Sequence, residues 1–160
     1  MIFVTVGTQK FQFDRLIKKM DQLVGEARIQ LPVIGQIGYS NYRPKHFQAF
    51  DMLNAQQVSD YFVKSDIIIT HAGTSSIIQG LKREKKMIVV PRQLIFNEHI
   101  DNHQLEIAKV FEEKQFVEAV YDIEELPAKL EGIQARVFNK YIIDNSNLLL
   151  DLEKYILAHM

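Results

Sequence analysis

Apolar and polar positions alternate between two periods along this chain. Residues 2–6 are a short, mostly apolar, β-branched run ending at Gly7, the pattern of a buried strand entering a turn. Over residues 11–24 the apolar positions Phe13, Leu16, Ile17, Met20, Leu23 and Val24 recur at helical spacing, and Gly25 stops that helix. Residues 29–34 read as a second strand, at an edge or irregular because it contains Pro32. Residues 35–48 are rich in Gly, Tyr, Asn and Pro, lack periodicity and read as loop. A short strand at 50–53 and a helix at 55–64, marked by Val58, Tyr61 and Phe62, follow.

The clearest strand is 66–70, Asp-Ile-Ile-Ile-Thr, whose β-branched centre suits burial on both faces. A helix is predicted from Thr74 to Arg83, then a buried strand 87–91 closed by Pro91. Residues 98–114 read as helix, 116–120 as a short strand and 123–130 as a helix containing Pro127. In the tail, 135–159, Phe138, Tyr141, Ile142, Leu149, Leu152, Tyr155 and Ile156 fall at roughly helical spacing. Strands alternating with helices imply βαβ units, hence one α/β, Rossmann-like domain over 1–160 with a mostly parallel sheet. Ligands are then expected beyond the C-terminal ends of the strands.

Composition changes this picture little. The 160 residues include 47% hydrophobic and 24% charged positions, a soluble globular balance, and the net charge of -1 gives no sign of a nucleic-acid partner. Cysteine is absent, which removes disulfides, thiolate metal sites and thiol nucleophiles. No run approaches the roughly 20 apolar residues of a membrane span, and the start has no basic leader, so a cytoplasmic location is expected.

Three polar segments sit at predicted strand ends. His71-Ala72-Gly73-Thr74-Ser75-Ser76 follows the strongest strand and opens a helix. Gly73 permits close backbone approach, and unpaired N–H groups at a helix start suit a phosphate. Plain helix capping by Thr74 or Ser75 would explain the same residues. Gly7-Thr8-Gln9-Lys10 is a second candidate phosphate loop, without G-x-G-x-x-G or Walker spacing. Asn97 to Gln104 is a dense polar run able to hydrogen-bond hydroxyls. His99 and His103 stand four apart, but Glu98 is not between them, so the metalloprotease pattern fails and no metal is expected.

Taken together, Ile69-Thr70-His71-Ala72-Gly73-Thr74-Ser75-Ser76, Ile88-Val89-Val90-Pro91 and Asp101-Asn102-His103-Gln104 resemble the C-terminal, donor-binding domain of glycosyltransferase family 28. Phe3-Val4-Thr5-Val6-Gly7-Thr8 is similar to the start of the small catalytic subunits of split enzymes in that group, which act on dolichol-diphosphate-GlcNAc or in bacterial exopolysaccharide and capsule synthesis. The resemblance implies one half of a GT-B enzyme, transferring a hexose or N-acetylhexosamine from a UDP-sugar with inversion to a lipid-diphosphate-linked sugar. It implies no metal or other cofactor. The acceptor half and the general base would come from a membrane-anchored partner subunit, which would hold this chain at the inner face of the membrane.

By position, the resemblance assigns the donor phosphates to Gly7, Thr8, His71, Gly73, Thr74, Ser75 and Ser76. It assigns the uracil to the neighbourhood of Phe50 and Met52, and the sugar to Asn102, His103 and Gln104. The family's ribose-binding glutamate is here Gln79, which lacks the charge-assisted strength of a carboxylate. A non-catalytic enhancer of a membrane glycosyltransferase is the alternative this opens. The tail face with Tyr141, Leu148, Leu152 and Tyr155 is expected either to dock on the partner or to pack on its own sheet.

Overall fold

In the computed structural model the described residues are 1–142 together with Lys154, Leu157 and Ala158. Six strands build one sheet: β1 (Ile2–Thr5), β2 (Val33–Gln36), β3 (Gln48–Phe50), β4 (Ile67–Thr70), β5 (Lys86–Val89) and β6 (Glu118–Ala119). Their order is β3-β2-β1-β4-β5-β6, and every ladder is parallel. This is the doubly wound order, and it reverses direction between β1 and β4. The helices are α1 (Asp14–Gly25), α2 (Ala55–Lys64), α3 (Thr74–Leu81), α4 (His103–Glu113) and α5 (Leu126–Gly132).

The continuous apolar runs of the strands resolve into two faces. Ile67 and Ile69 pack with Leu16, Ile17 and Met20 of α1 and Leu126 of α5. Ile68 points the other way, toward Phe62 of α2, Ile77 of α3 and Phe111 of α4. Side chains alternate along a strand, so a strand covered on both faces must be apolar at every position. The polar Thr5, Gln36 and Thr70 stand at strand C-terminal ends and are buried there.

The structure differs from the sequence reading in four places. The second strand is Val33–Gln36, not 29–34, and it is interior, with β3 at the edge. Pro32 lacks an N–H and precedes the strand, where its carbonyl accepts from Ile2 N at 2.8 Å. Gly35 continues the strand because Phe47 lies on it: a Cβ there would stand 2.8 Å from the Phe47 ring. The next strand likewise ends at Phe50 rather than starting there.

Helix α4 begins at His103, not near 98, because a 3₁₀ turn (Leu94–Phe96) and the left-handed Asn97 (φ 55°) redirect the chain first. Residues 136–142 are not helical, so the expected tail helix does not begin near 135, while the other described tail residues, Lys154, Leu157 and Ala158, are helical. There Tyr141 packs on the chain's own Phe116, ring centroids 5.6 Å apart. Leu148, Leu152 and Tyr155 lie outside the described residues. Pro127 sits in the first turn of α5, where its missing N–H costs nothing.

Helix α2 starts with a capping box: Asn54 Oδ1 accepts from Gln57 N at 2.8 Å, and Gln57 Oε1 accepts from Asn54 N at 3.0 Å. Asn54→Ala is expected to lower unfolding free energy by about 1 kcal/mol, measured by urea titration. A loss below about 0.3 kcal/mol would show that tertiary packing alone sets the start of this helix.

Candidate functional site

The β1 and β4 strands end side by side, with Thr5 paired to Thr70. From these two ends depart the segments that begin at Gly7 and at His71. The reversal of strand order leaves a crevice there, and it holds a cavity of about 590 Å³. Gly7, Thr8 and Gln9 form one lip, and His71 and Gly73 to Ser76 form the floor and helix start. Gln79 continues that wall one turn along α3, and Leu53, Ala55 and Val58 close the far side. A second cavity, of about 380 Å³, opens at the opposite, N-terminal strand ends beside Ile2 and Ile67.

Helix α3 begins without any side-chain cap. Gly73 occupies the N-cap position, and Thr74, Ser75 and Ser76 are its first helical residues, with Ser75 exposed. Capping, the competing explanation of these hydroxyls, is therefore not what they do. Their N–H groups face the cavity with the partial positive charge of a helix N-terminus, a suitable environment for an anion.

The imidazole of His71 explains both glycines. It lies between the two loops, 6% exposed, and its Nδ1 is 3.1 Å from Thr70 Oγ1. A Cβ on Gly73 would fall 2.2 Å from His71 Nε2, and one on Gly7 would fall 2.6 Å from Cε1. Gly7 also has φ +74°, a left-handed conformation that L side chains rarely adopt. Burial, followed by the positive charge of Arg92, pushes the His71 pKa down to about 3, so the ring is neutral at physiological pH. A base this weak, with its ring pressed against glycine backbone, is poorly suited to take a proton from an alcohol.

Three polar residues outside the expected set hold the site in shape. Gln36, 2% exposed, donates from Nε2 to Thr5 Oγ1 (3.2 Å) and Gly7 O (3.3 Å) and accepts Leu53 N at 3.0 Å. It thus ties the Gly7 lip to the Leu53 wall. Arg92, fully buried, donates to Val6 O (2.7 Å), Phe11 O (3.1 Å), Gln12 O (3.1 Å) and Glu98 O (3.3 Å). Arg15 forms a two-pronged pair with Glu98, at 2.8 and 2.9 Å. The sequence hides Gln36 because the end of its strand reads as loop. Arg92 carried a signal: a charged residue just after a buried strand and its closing proline.

The remaining expected residues divide. Gln104 is 5% exposed, and its Oε1 accepts both Ala72 N (3.2 Å) and Arg92 N (3.0 Å), stitching the β4 exit to the β5 exit. Only its amide nitrogen is left for a ligand. Asn102 Oδ1 accepts Leu94 N at 3.0 Å, and His103 N donates to Asp101 Oδ1 at 2.9 Å. The buried His103 Nδ1 has no hydrogen-bond partner among the described residues. None of Asn102, His103 and Gln104 lines the cavity, and the same holds for Phe50, half-buried beside Tyr61, and Met52, which is 42% exposed. The strand ends at Phe50, and the apolar lining on that side of the cavity comes from Leu53, Ala55 and Val58, three to eight residues after Phe50. Among the described residues no cluster of three or more His, Asp or Glu could hold a metal, and no helix is long and apolar enough to cross a membrane.

A doubly wound domain with an uncapped helix start and a glycine lip at its switch point belongs to the class of Rossmann-like α/β domains. Within that class the family is defined by sequence: the model of the glycosyltransferase family 28 C-terminal domain matches residues 1–142, and the chain belongs to this family. Among its relatives is the UDP-N-acetylglucosamine transferase subunit ALG13 of Debaryomyces hansenii, 30% identical over 115 residues, covering 67% of this chain and 54% of that protein. The human protein of the same name is 34% identical over 122 residues, 68% of this chain and 10% of that one. The chain therefore spans about half, or much less, of these relatives' lengths. The solution structure of ALG13 has the same fold, with TM-score 0.62 at 20% identity, covering 97% of this chain and 94% of that one. Acinetobacter baumannii MurG matches with TM-score 0.57 at 15% identity, over 84% of this chain but only 41% of its own.

Proposed function

We propose that this chain is the donor-binding subunit of a split, inverting glycosyltransferase that holds a UDP-sugar at the β1/β4 switch point. The observation that carries the reading is the uncapped start of α3 facing the Gly7 lip across one cavity. In this reading the diphosphate lies on the Gly73–Ser76 amides and hydroxyls, with Gly7 and Thr8 opposite. Negative charge grows on the departing UDP during transfer, so these fixed donors stabilise the transition state more than the ground state. The ribose extends along α3 to Gln79, and the uracil reaches the Leu53, Ala55 and Val58 wall beyond Phe50 and Met52. The sugar projects toward the β5 side, where the Gln104 amide nitrogen, Asn102 and His103 offer hydrogen bonds.

The acceptor is a lipid-diphosphate-linked sugar in exopolysaccharide, capsule or glycolipid synthesis, presented by a membrane-anchored glycosyltransferase subunit. That subunit also supplies the general base, since His71 is a buried, weakly basic imidazole. This chain then works at the cytoplasmic face of the membrane through its partner. N-acetylglucosamine is the first sugar to try, because the relatives' names carry it. Gln79 favours a second reading: without a carboxylate on the ribose hydroxyls, the chain could serve as a non-catalytic enhancer of that partner.

Calorimetric titration of the full chain with UDP separates the two. Donor binding predicts saturable UDP affinity, weakened about tenfold or more when Thr74, Ser75 and Ser76 are all changed to alanine, with melting temperature little altered. Absence of UDP binding by the wild-type chain would leave the enhancer reading. Efficient sugar transfer by the purified chain alone would overturn the placement of the base on the partner.

A further inference from the structure

Arg92 stands apart from the groups expected to meet a ligand. It is the largest fully buried side chain, at 0% exposure, so it cannot touch anything in the cavity. Its guanidinium nevertheless grips the phosphate loop at both ends: Nη2 holds Val6 O at 2.7 Å, just before Gly7, and Nη1 holds Phe11 O and Gln12 O at 3.1 Å, just after Lys10. Through Gln104 its own backbone N–H is tied to that of Ala72, on the other loop. The Phe13 ring lies under the guanidinium, 4.9 Å from Cζ.

The charge on Arg92 is offset only in part, by the charge of Glu98 acting through space. Its hydrogen-bond partners are backbone carbonyls only, and its Nε is buried without a partner among the described residues. The nearby carboxylate, Glu98, is already engaged by Arg15 through both oxygens and by Gln93 N at 3.0 Å. Two arginines therefore share one buried carboxylate, and the loop junction carries a net positive charge. His71 adds none, being neutral. A charge kept out of water acts over a longer range than a surface lysine, because little solvent screens it.

We propose that Arg92 is a positioning residue and buried counter-charge for the donor diphosphate: it closes the Gly7–Lys10 loop at both ends and leaves a net positive charge behind it. The inference rests on the donor-site reading above. It separates two contributions to anion binding in this cleft. Backbone amides of α3 contact the anion, and a desolvated cation behind the opposite lip sets the potential they work in.

The test uses the full chain, titrated calorimetrically with UDP, uridine and inorganic pyrophosphate, with thermal melting recorded for each variant. Arg92→Gln is expected to weaken UDP and pyrophosphate about tenfold while uridine changes less than about twofold; Arg92→Lys, which keeps the charge, stays within about threefold of wild type for all three. Glu98→Gln removes the neutralising charge and is expected to tighten UDP and pyrophosphate about threefold, opposite in sign to any structural lesion. Should Arg92→Gln fail to fold, Arg92→Lys and Glu98→Gln decide. Equal losses for UDP and uridine, or weaker UDP binding by Glu98→Gln, would reduce Arg92 to a structural strap and overturn the proposal. If wild type binds pyrophosphate with this pattern but not UDP, the donor reading fails and the counter-charge stands. If it binds neither, both fall.

Discussion

Gly73→Ala is expected to abolish UDP binding, weakening it about a hundredfold or more, and to destabilise the chain by about 1–3 kcal/mol. The backbone does not forbid the change, since Gly73 has φ -79° and ψ 121°, open to any residue. The obstacle is His71. Its Nε2 would lie 2.2 Å from the new methyl, and the ring has little room to yield between the two loops, with Nδ1 held at Thr70 Oγ1. Relief must come from moving the α3 start, which shifts every amide that the proposed donor site offers to the diphosphate. A 1 Å displacement of such preorganised donors is costly even when each bond survives. The cause is checked by a second site. His71→Ala combined with Gly73→Ala removes the ring that the methyl meets, so the double variant should melt above the sum of the two single effects. If the two losses simply add, the ring is not the obstacle. Calorimetric titration and thermal melting of the four proteins measure both quantities.

Acid is expected to destabilise this protein well above the carboxylate range, through His71. The unfolded imidazole titrates near 6.5 and the folded one at about 3, because burial and then the charge of Arg92 oppose its protonation. Between these values the unfolded chain binds the extra proton, so stability rises with pH there and falls on acidification. The slope approaches about 1.4 kcal/mol per pH unit, giving a loss of about 2–3 kcal/mol between pH 6.5 and pH 4.5. Asp21 and Asp101 have folded pKa values below 3.8, so their contributions are lost only at lower pH. Urea unfolding at about pH 7, 5.5 and 4.5 should show this decline in wild type and a much flatter one in His71→Asn. Parallel declines in the two proteins would remove His71 as the cause.

These two predictions concern one residue whose place was visible in the sequence and whose role was not. His71 follows the strongest strand, and the helix after it was legible from Thr74 onward. Nothing in the one-dimensional pattern says that its ring is a wedge between Gly7 and Gly73, 66 positions apart at their extremes, because that contact exists only once β1 and β4 pair. The hydroxyls of Thr74 to Ser76 are open to capping or ligand binding in the sequence, and the uncapped helix start removes the first. Gln104 reads as a ligand contact but spends its carbonyl oxygen on two backbone amides.

Elements with a strong period were read correctly. The pattern puts α2 at 55–64 and β4 within 66–70, as observed, because an apolar face and a β-branched run leave few alternatives. Misplaced elements share a weak local signal. The second strand contains Gly35 and ends in Gln36, neither of which announces a strand, and it forms because β1 and β3 supply its hydrogen bonds on both sides. The polar run before α4 does not extend the helix, because Asn97 turns left-handed and Asn102 and Asp101 spend their side chains on the neighbouring backbone.

The sequence by itself determined the alternation of elements, the all-through apolar character of the central strands and the glycines and hydroxyls at strand ends. These follow from periods of two and 3.6 and from local backbone freedom. Only the tertiary structure decided which strand ends meet, and with that the cleft. It decided that Leu53, Ala55 and Val58 line the cavity while Phe50 and Met52 do not. It also decided that Gln36 and Arg92, silent in any periodic reading, fix the lips. Such roles belong to buried polar groups, whose hydrogen bonds must be satisfied by whatever the fold brings near, and that pairing is long-range by nature.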